Sequence, residues 1–361
     1  MYPRLVVDLK KLESNLDAVA KITKEQGGCS LMIVTKGLCA DKEMCKMVSR
    51  HPAVYFMADS RVANIKTYAY EARTNETMTV LLRIPMHSEV ADVVKYVDLS
   101  FNSELSTIRL LNEEAGKLGT RHNILLMIDL VELREGIFYQ DEELIFETVE
   151  EILAMEHINL YGIGVNLTCY GAIIPKHDNL SNLVAIARKI EEKFGIKLQM
   201  VSGGNSSSIS LIGKGELPEG LTNLRVGDSF LLGNDTAYGE KLPGTTGDAL
   251  VLEAQIVELK EKPSLPIGEV GVDAFGQKPY YEDRGIIKRA IIAIGKQDTD
   301  IDSMEPLDPQ VEILGGSSDH IILDVTKSEE EYKVGDIVQF VVGYGGMLKT
   351  ATSPYVEKVY K

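Results

Sequence analysis

Between residue 31 and about residue 233, short apolar, β-branched runs alternate regularly with longer amphipathic stretches. Eight of these runs read as strands. They are LMIVTK ending at Lys36, VYFMAD ending at Asp59, TVLLRI ending at Ile84, DLSFN ending at Asn102, NILLMIDL ending at Leu130, INLYGIGVN ending at Asn166, LQMVSGGN ending at Asn205, and NLRVGD continuing through SFLLGND. The stretches between them place apolar residues at helical spacing over a charged face. Residues 103–117 (SELSTIRLLNEEAGK), with Ser103 placed to cap, and 182–194 (NLVAIARKIEEKF) show this most clearly. Continuously apolar strands that are each followed by a helix suit a parallel barrel, whose strands are covered on both sides. The pattern predicts an α/β fold with an N-terminal (β/α)8 TIM barrel over residues 9–233.

A helical stretch from Asp8 to Glu25 precedes the first barrel strand, which leaves the opening run RLVVDL outside the barrel. After Asn234 the pattern changes to short alternating strands, LVLEAQIVEL, IKRAIIAIGK, HIILDV and DIVQFVV, separated by Gly, Pro and Asp clusters. Residues 1–8 and 234–361 are therefore expected to form a mostly β C-terminal domain. Two cores suit a chain of 361 residues, because single cores stop growing at about 250–300 residues.

The formal charge of −16 opposes any reading built on a basic field, so neither nucleic acid nor an anionic membrane is an expected partner. No apolar run approaches the roughly 20 residues of a membrane span, and the N-terminus does not resemble a signal segment. A cytoplasmic protein with small substrates is expected. Cys29, Cys39, Cys45 and Cys169 are too few and too apolar in setting for a disulfide framework, and no spacing suits a structural metal.

Residues at the carboxyl ends of barrel strands converge on one mouth. Lys36 closes an apolar strand just before Gly37. In a desolvated mouth its neutral amine could form a Schiff base, and the alternative is a snorkelling or salt-bridged lysine. The run SGGNSSS, Ser202–Ser208, offers glycines for close approach and hydroxyls and amides for an anion; alone it reads equally well as a turn with a serine cap. Arg134 and Arg225 follow or end apolar strands, which implies a carboxylate, phosphate or ring nitrogen as partner, or a salt bridge to Asp129 or Glu135. The six histidines are scattered and build no hydrolase triad.

Taken together, the segments YPRLVVDLKKLESNL, IVTKG, MADSR, DLVELREGI, VSGGNSSS and NLRVGDSFLLG resemble the alanine racemase family of fold-type III pyridoxal-phosphate enzymes, and more closely its alanine/ornithine racemase branch. PIGEVGVDAFG, DRGIIKRAIIAIGKQD, GGSSDH and TSPYV extend the resemblance over nearly the whole chain. It implies pyridoxal 5'-phosphate as cofactor and a head-to-tail homodimer in which each barrel is completed by the partner's β domain. It also implies Lys36 as the cofactor lysine and one acid/base, and Ser206 and Gly227 at the phosphate. Arg225 would face the pyridine nitrogen, Asn166 stand near the ring, and Arg134 meet the substrate carboxylate. Asn205, Ser207, Asp228 and Tyr355 complete the expected cofactor shell.

An arginine cannot pass a proton to the pyridine nitrogen, so the ring stays a weaker electron sink, which suits return of the proton to the same carbon. Racemisation needs an acid/base on each face of that carbon. Where alanine racemases carry a tyrosine before a glycine, this chain has Ile267 before Gly268. The expected replacements are Asp273, Ser318, Asp319, His320 and Tyr355. Loss of the tyrosine leaves room for a longer side chain, and Glu269 or Asp273 could receive a distal ammonium, so ornithine or lysine is favoured over alanine, and the branch resemblance implies ornithine. The rival readings are a fold-type III decarboxylase, a D-hydroxy amino acid lyase, and a non-catalytic cofactor-carrying protein. Arg225 in place of a glutamate, the missing His and Cys metal pair, and the β domain argue against them in turn.

Overall fold

A computed structural model describes residues 1–361. The chain forms two compact units: residues 11–246, and residues 1–10 together with 247–361. The first strand, β1 (Arg4–Val7), belongs to the second unit.

The first unit is built on β2 (Ser30–Val34), β3 (Val54–Asp59), β4 (Met78–Leu81), β5 (Leu99–Asn102), β6 (His122–Asp129), a short β7 (Ile137–Phe138), β8 (Ile158–Gly164), β9 (Met200–Ser202) and β10 (Asn223–Val226). β7 only flanks β6. The other eight are parallel neighbours, and the pairings β5–β6 and β10–β2 close them into a ring. This is the expected eight-stranded parallel barrel. Met32 and Val34, Phe56 and Ala58, Leu99 and Phe101, and Leu125 and Met127 fill one core cluster with Met200. Each pair sits two residues apart, because alternate side chains of a strand point to the same face.

The helices between strands follow from local signals. Asp41 Oδ1 accepts from Met44 N at 3.1 Å and caps Lys42–Arg50, and Asp141 Oδ1 accepts from Leu144 N at 3.2 Å ahead of Glu142–Leu153. Ser103 does not cap its helix. Leu105–Lys117 starts from Glu104, with no side-chain cap. SFLLGND, expected to continue the last strand, is instead the helix Asp228–Leu232, because Gly227 (φ −128°, ψ −65°) turns the backbone out of extended geometry.

The chain does not leave the barrel at residue 233. Leu242 N and Thr245 Oγ1 donate to Gly233 O at 2.9 and 2.7 Å. Asn15, fully buried, donates to Phe230 O and Thr246 O and accepts from Thr246 N, at 2.7 to 3.0 Å. Its amide satisfies three buried backbone groups at once, which keeps residues 234–246 with the first unit.

The second unit contains β11 (Leu250–Pro263), β12 (Ile286–Ile292), β13 (Met304–Pro306), β14 (Glu312–Gly316), β15 (Ile321–Asp324), β16 (Ile337–Val342) and β17 (Glu357–Tyr360). Six run antiparallel in the order β13-β16-β11-β12-β15-β14, while β1 pairs antiparallel with β11 and parallel with β17. A helix over Tyr344–Thr352 was not legible, since Gly345 and Gly346 interrupt its pattern. A Cβ on Gly345 would stand 2.3 Å from Asp300 Oδ2, so the helix packs against the Asp300 side chain where glycine leaves room for it.

Candidate active site

The expected residues of the barrel collect at the carboxyl ends of its strands. β2 ends at Val34, and Lys36 opens a 3-10 turn over Lys36–Leu38. The turn is locked from behind. Thr35 N donates to Ala58 O at 2.8 Å, and Thr35 Oγ1 donates to Asp59 Oδ2 at 2.8 Å. Asp59 Oδ1 accepts from Arg61 N and Asn64 Nδ2 at 2.9 and 3.0 Å. Burial raises the Asp59 carboxyl pKa, against these hydrogen bonds to the charged form. Cys39 and Ala40 take left-handed backbone (φ 55° and 50°) to complete the turn. As a strand-end residue Asp59 is expected at the barrel mouth, whereas nothing in the sequence singles out Thr35.

The serine run forms a cradle. Gly204 sits at φ 106°, and a Cβ there would lie 2.7 Å from Ser208 Oγ. Asn205 Oδ1 accepts from Ser207 N and Ser207 Oγ at 2.9 and 2.7 Å, and Asn205 Nδ2 donates to Leu167 O at 2.8 Å. Backbone N–H groups of Gly227 and Ser229 converge on Ser206 Oγ at 3.4 and 3.3 Å. A Cβ on Gly227 would lie 3.1 Å from Val34 Cβ, a tight approach that favours glycine there.

Arg225 is buried. Its Nη1 donates to Ser202 Oγ at 2.7 Å, its Nη2 donates to Val165 O at 2.6 Å, and its Cζ lies 5.2 Å from the centre of the Phe101 ring. Ser202 Oγ donates onward to Asn223 Oδ1 at 2.7 Å. Burial pulls the Arg225 pKa down to about 10, which still leaves it charged at neutral pH. Asp228 has a buried Oδ1 with no hydrogen-bond partner. Burial pushes its carboxyl up to about 6, against the attraction of Lys36.

Arg134 lies in the loop after β6 and pairs with Glu135 rather than Asp129, whose Oδ1 accepts from Val131 N and Leu133 N at 3.0 and 3.1 Å. The Glu135 hydrogen bond raises the Arg134 pKa, against burial. With its amide oxygen turned toward the guanidinium, Asn166 accepts from both Arg134 Nη atoms at 3.1 and 3.2 Å. The exposed Cys169 has its Sγ 3.2 Å from Asn205 Nδ2.

In the second unit the expected residues only partly meet. Asp273 Oδ1 accepts from Phe275 N and Gln277 N at 2.9 and 2.8 Å, and those amides, Gln277 first, lower its pKa. Lys296 Nζ stands 3.9 Å from Asp273 Oδ2 and 4.6 Å from the centre of the Phe275 ring. The backbone ties this lysine to the serine turn: Lys296 N donates to Ser317 O at 2.9 Å and Gln297 N to Ser318 O at 3.1 Å. Ser318 Oγ donates to Asp319 Oδ2 at 2.5 Å. Lys296 thus links Asp273 to Ser318 and Asp319, yet sequence reading missed it; the only signal is a cation directly after Gly295. The His320 side chain, exposed Glu269 and exposed Tyr355 are not drawn into this cluster.

A parallel barrel with a lysine, an anion cradle and a buried arginine at its strand ends defines a class, and residues 7–234 match the family "Alanine racemase, N-terminal domain". The chain belongs to the alanine racemase family of isomerases. It is 55% identical over 358 residues, 99% of each chain, to the ornithine racemase of Acetoanaerobium sticklandii. It is 37% identical to the lysine racemase of Thermotoga maritima, over 100% of this chain and 99% of that one. The alanine racemase of Bartonella henselae, solved with covalently bound pyridoxal phosphate, has the same fold at a TM-score of 0.71 and 15% identity, with 99% of both chains covered.

Proposed function

We propose that the protein is a pyridoxal 5'-phosphate-dependent racemase of free ornithine, working in the cytoplasm as a head-to-tail homodimer whose β units complete the partner's barrel site. The observation that carries this reading is the grouping of Lys36, the Ser206–Gly227–Ser229 cradle and Arg225 at the strand ends of a chain 55% identical to an ornithine racemase. The residues fit the cofactor. The cradle has amides and hydroxyls for a phosphate, and glycines where a Cβ would press on Ser208 and Val34. Arg225 has a locked guanidinium for a ring nitrogen, and Lys36 an amine in no ion pair for the aldehyde carbon.

In this assignment Ser206, Ser207 and the amides of Gly227 and Ser229 hold the phosphate, with Asn205 fixing the turn, Asp228 beside it, and Tyr355 reaching it from the partner's β unit. Asn166 lies against the ring. When bound, the cofactor supplies an electron sink conjugated to the substrate's α-carbon, which acidifies its C–H bond. Lys36 Nζ removes or returns the proton on one face. Arg225 stays protonated and offers the ring nitrogen no proton to take, which limits charge delocalisation and favours return of the proton to the α-carbon. Arg134 orients the substrate by its carboxylate, a role for a planar double donor.

On the other face, the partner's cluster of Asp273, Ser318 and Asp319 around Lys296 supplies the second acid/base, with His320 at the end of that turn. Asp273 and Glu269 offer negative charge to a distal ammonium, so lysine is the next substrate to test. Chiral chromatography of L-ornithine, L-lysine and L-alanine, incubated with the protein and cofactor, checks the reading. The expected outcome is D-ornithine from the wild type at the highest rate, and a loss of about 1000-fold or more in Lys36→Ala. Conversion of alanine alone would overturn the substrate assignment.

A further inference from the structure

The loop after β6 contains a buried acid that the reading above does not use. Glu132 is 2% exposed, although it lies in a loop between the exposed Val131 and Leu133. Its carboxylate makes no ion pair. Oε1 accepts from Tyr170 N at 2.6 Å and Gly171 N at 2.9 Å, and Oε2 accepts from Ile173 N at 3.3 Å. All three donors belong to the loop after β8, so one side chain ties two loops of the barrel mouth together. Three amide donors are what a buried carboxylate needs in place of water.

Both loops hold backbone that would not persist unaided. Val131 and Leu133, on either side of Glu132, have φ of 110° and 56°; Thr168 and Ala172 in the facing loop have φ of 76° and 54°. A positive φ is strained for a non-glycine residue, and such conformations last only where the surroundings over-determine them. Asp129 holds the amides of Val131 and Leu133 from the strand end, and Glu132 holds the facing loop. The approach is close enough that a Cβ on Gly171 would stand 3.0 Å from Glu132 O and 3.3 Å from Oε2.

The two loops carry Arg134 on one side and Asn166 and Cys169 on the other, and the Asn166 amide meets the Arg134 guanidinium. We infer that Glu132 is a positioning residue: it clamps the Arg134 loop to the Asn166–Cys169 loop, so that the guanidinium meets a substrate carboxylate already oriented. The inference rests on the role given to Arg134 in the proposed racemase.

The exposed Cys169 makes the clamp measurable apart from catalysis. Cys29 and Cys45 are buried, and comparison with Cys169→Ser isolates the Cys169 signal from that of Cys39. In Glu132→Ala, Cys169 should react with a disulfide thiol reagent at least about fivefold faster. KM for L-ornithine should rise about tenfold or more while kcat changes less than about threefold, because ground-state binding is what is lost. Glu132→Gln keeps an acceptor oxygen and should fall between, with both effects about threefold; it carries the test if the alanine variant does not fold. Wild-type Cys169 reactivity and KM in both variants, or in Glu132→Gln alone where only it folds, would overturn the clamp. If the wild type racemises no ornithine, the functional reading fails, and the Cys169 rates still decide the clamp.

Discussion

The strand-end cradle of the barrel and the serine turn of the second unit hold polar groups by different means. In the barrel, Arg225, Ser202 and Asn223 are buried and each hydrogen bond hands on to the next, from Val165 O through the guanidinium to Ser202 Oγ and Asn223 Oδ1. In the second unit, Asp273, Lys296 and Asp319 are at least partly exposed; Asp273 is fixed by amides two and four residues on, and Asp319 accepts from the hydroxyl of the adjacent Ser318. Adjacent parallel strands set the first arrangement through their register, so it has no freedom to adapt. Short turns set the second, which leaves its side chains open to whatever approaches.

The comparison breaks most visibly at Arg225. Arg225→Met removes the partner of Ser202 Oγ and Val165 O inside the barrel, and each buried group left unpaired costs about 1–3 kcal/mol. Urea denaturation should show a loss of about 2–5 kcal/mol; a loss under about 1 kcal/mol would mean that the interior is less locked than its hydrogen bonds indicate.

Asp228 sharpens the comparison through pH. Its folded pKa is raised from 3.8 to about 6, so burial disfavours the charged form. The neutral carboxyl carries no penalty below the unfolded pKa, and stability is lost as pH rises through the interval up to about 6. Asp228→Asn should abolish that slope and be more stable above pH about 6 by on the order of 2–3 kcal/mol. Denaturation curves between pH about 4 and 7 test this, and parallel profiles for variant and wild type would contradict it.

The smallest stability effect belongs to the second unit. Lys296→Met removes a 3.9 Å pair in which both partners are about one-third exposed, and the urea midpoint should stay close to that of the wild type. Racemisation should nevertheless fall about tenfold if the cluster serves the second face. An unchanged rate at saturating ornithine would remove the cluster from that role.

The same contrast explains what the sequence could disclose. VYFMAD is β3 residue for residue, and the strand ends led to Lys36, the serine run and Arg225, because parallel strands write their burial as contiguous apolar runs. SFLLGND misled, since an apolar run beside a glycine turn serves a short helix as well as a strand. Glu132 was invisible because its three donors lie 38 to 41 residues away, and only the fold reveals that this loop acid is buried. Lys296 was passed over because the tie to Ser317 and Ser318 runs through backbone groups that no side-chain pattern records.

The placement of β1 between β11 and β17 has a consequence for biosynthesis. Arg4–Val7 are made first, but their parallel partner Glu357–Tyr360 emerges only after the entire barrel has been translated. During that interval the RLVV run is an apolar strand with open hydrogen-bonding edges, the kind of segment that pairs wrongly or engages chaperones. The barrel, whose strands lie within residues 30–226, has no such wait. Nascent chains stalled before residue 250, ahead of both partner strands, should therefore hold a folded barrel and a chaperone-accessible Arg4–Val7 segment, and the segment should become protected on one edge once Leu250–Glu253 has emerged.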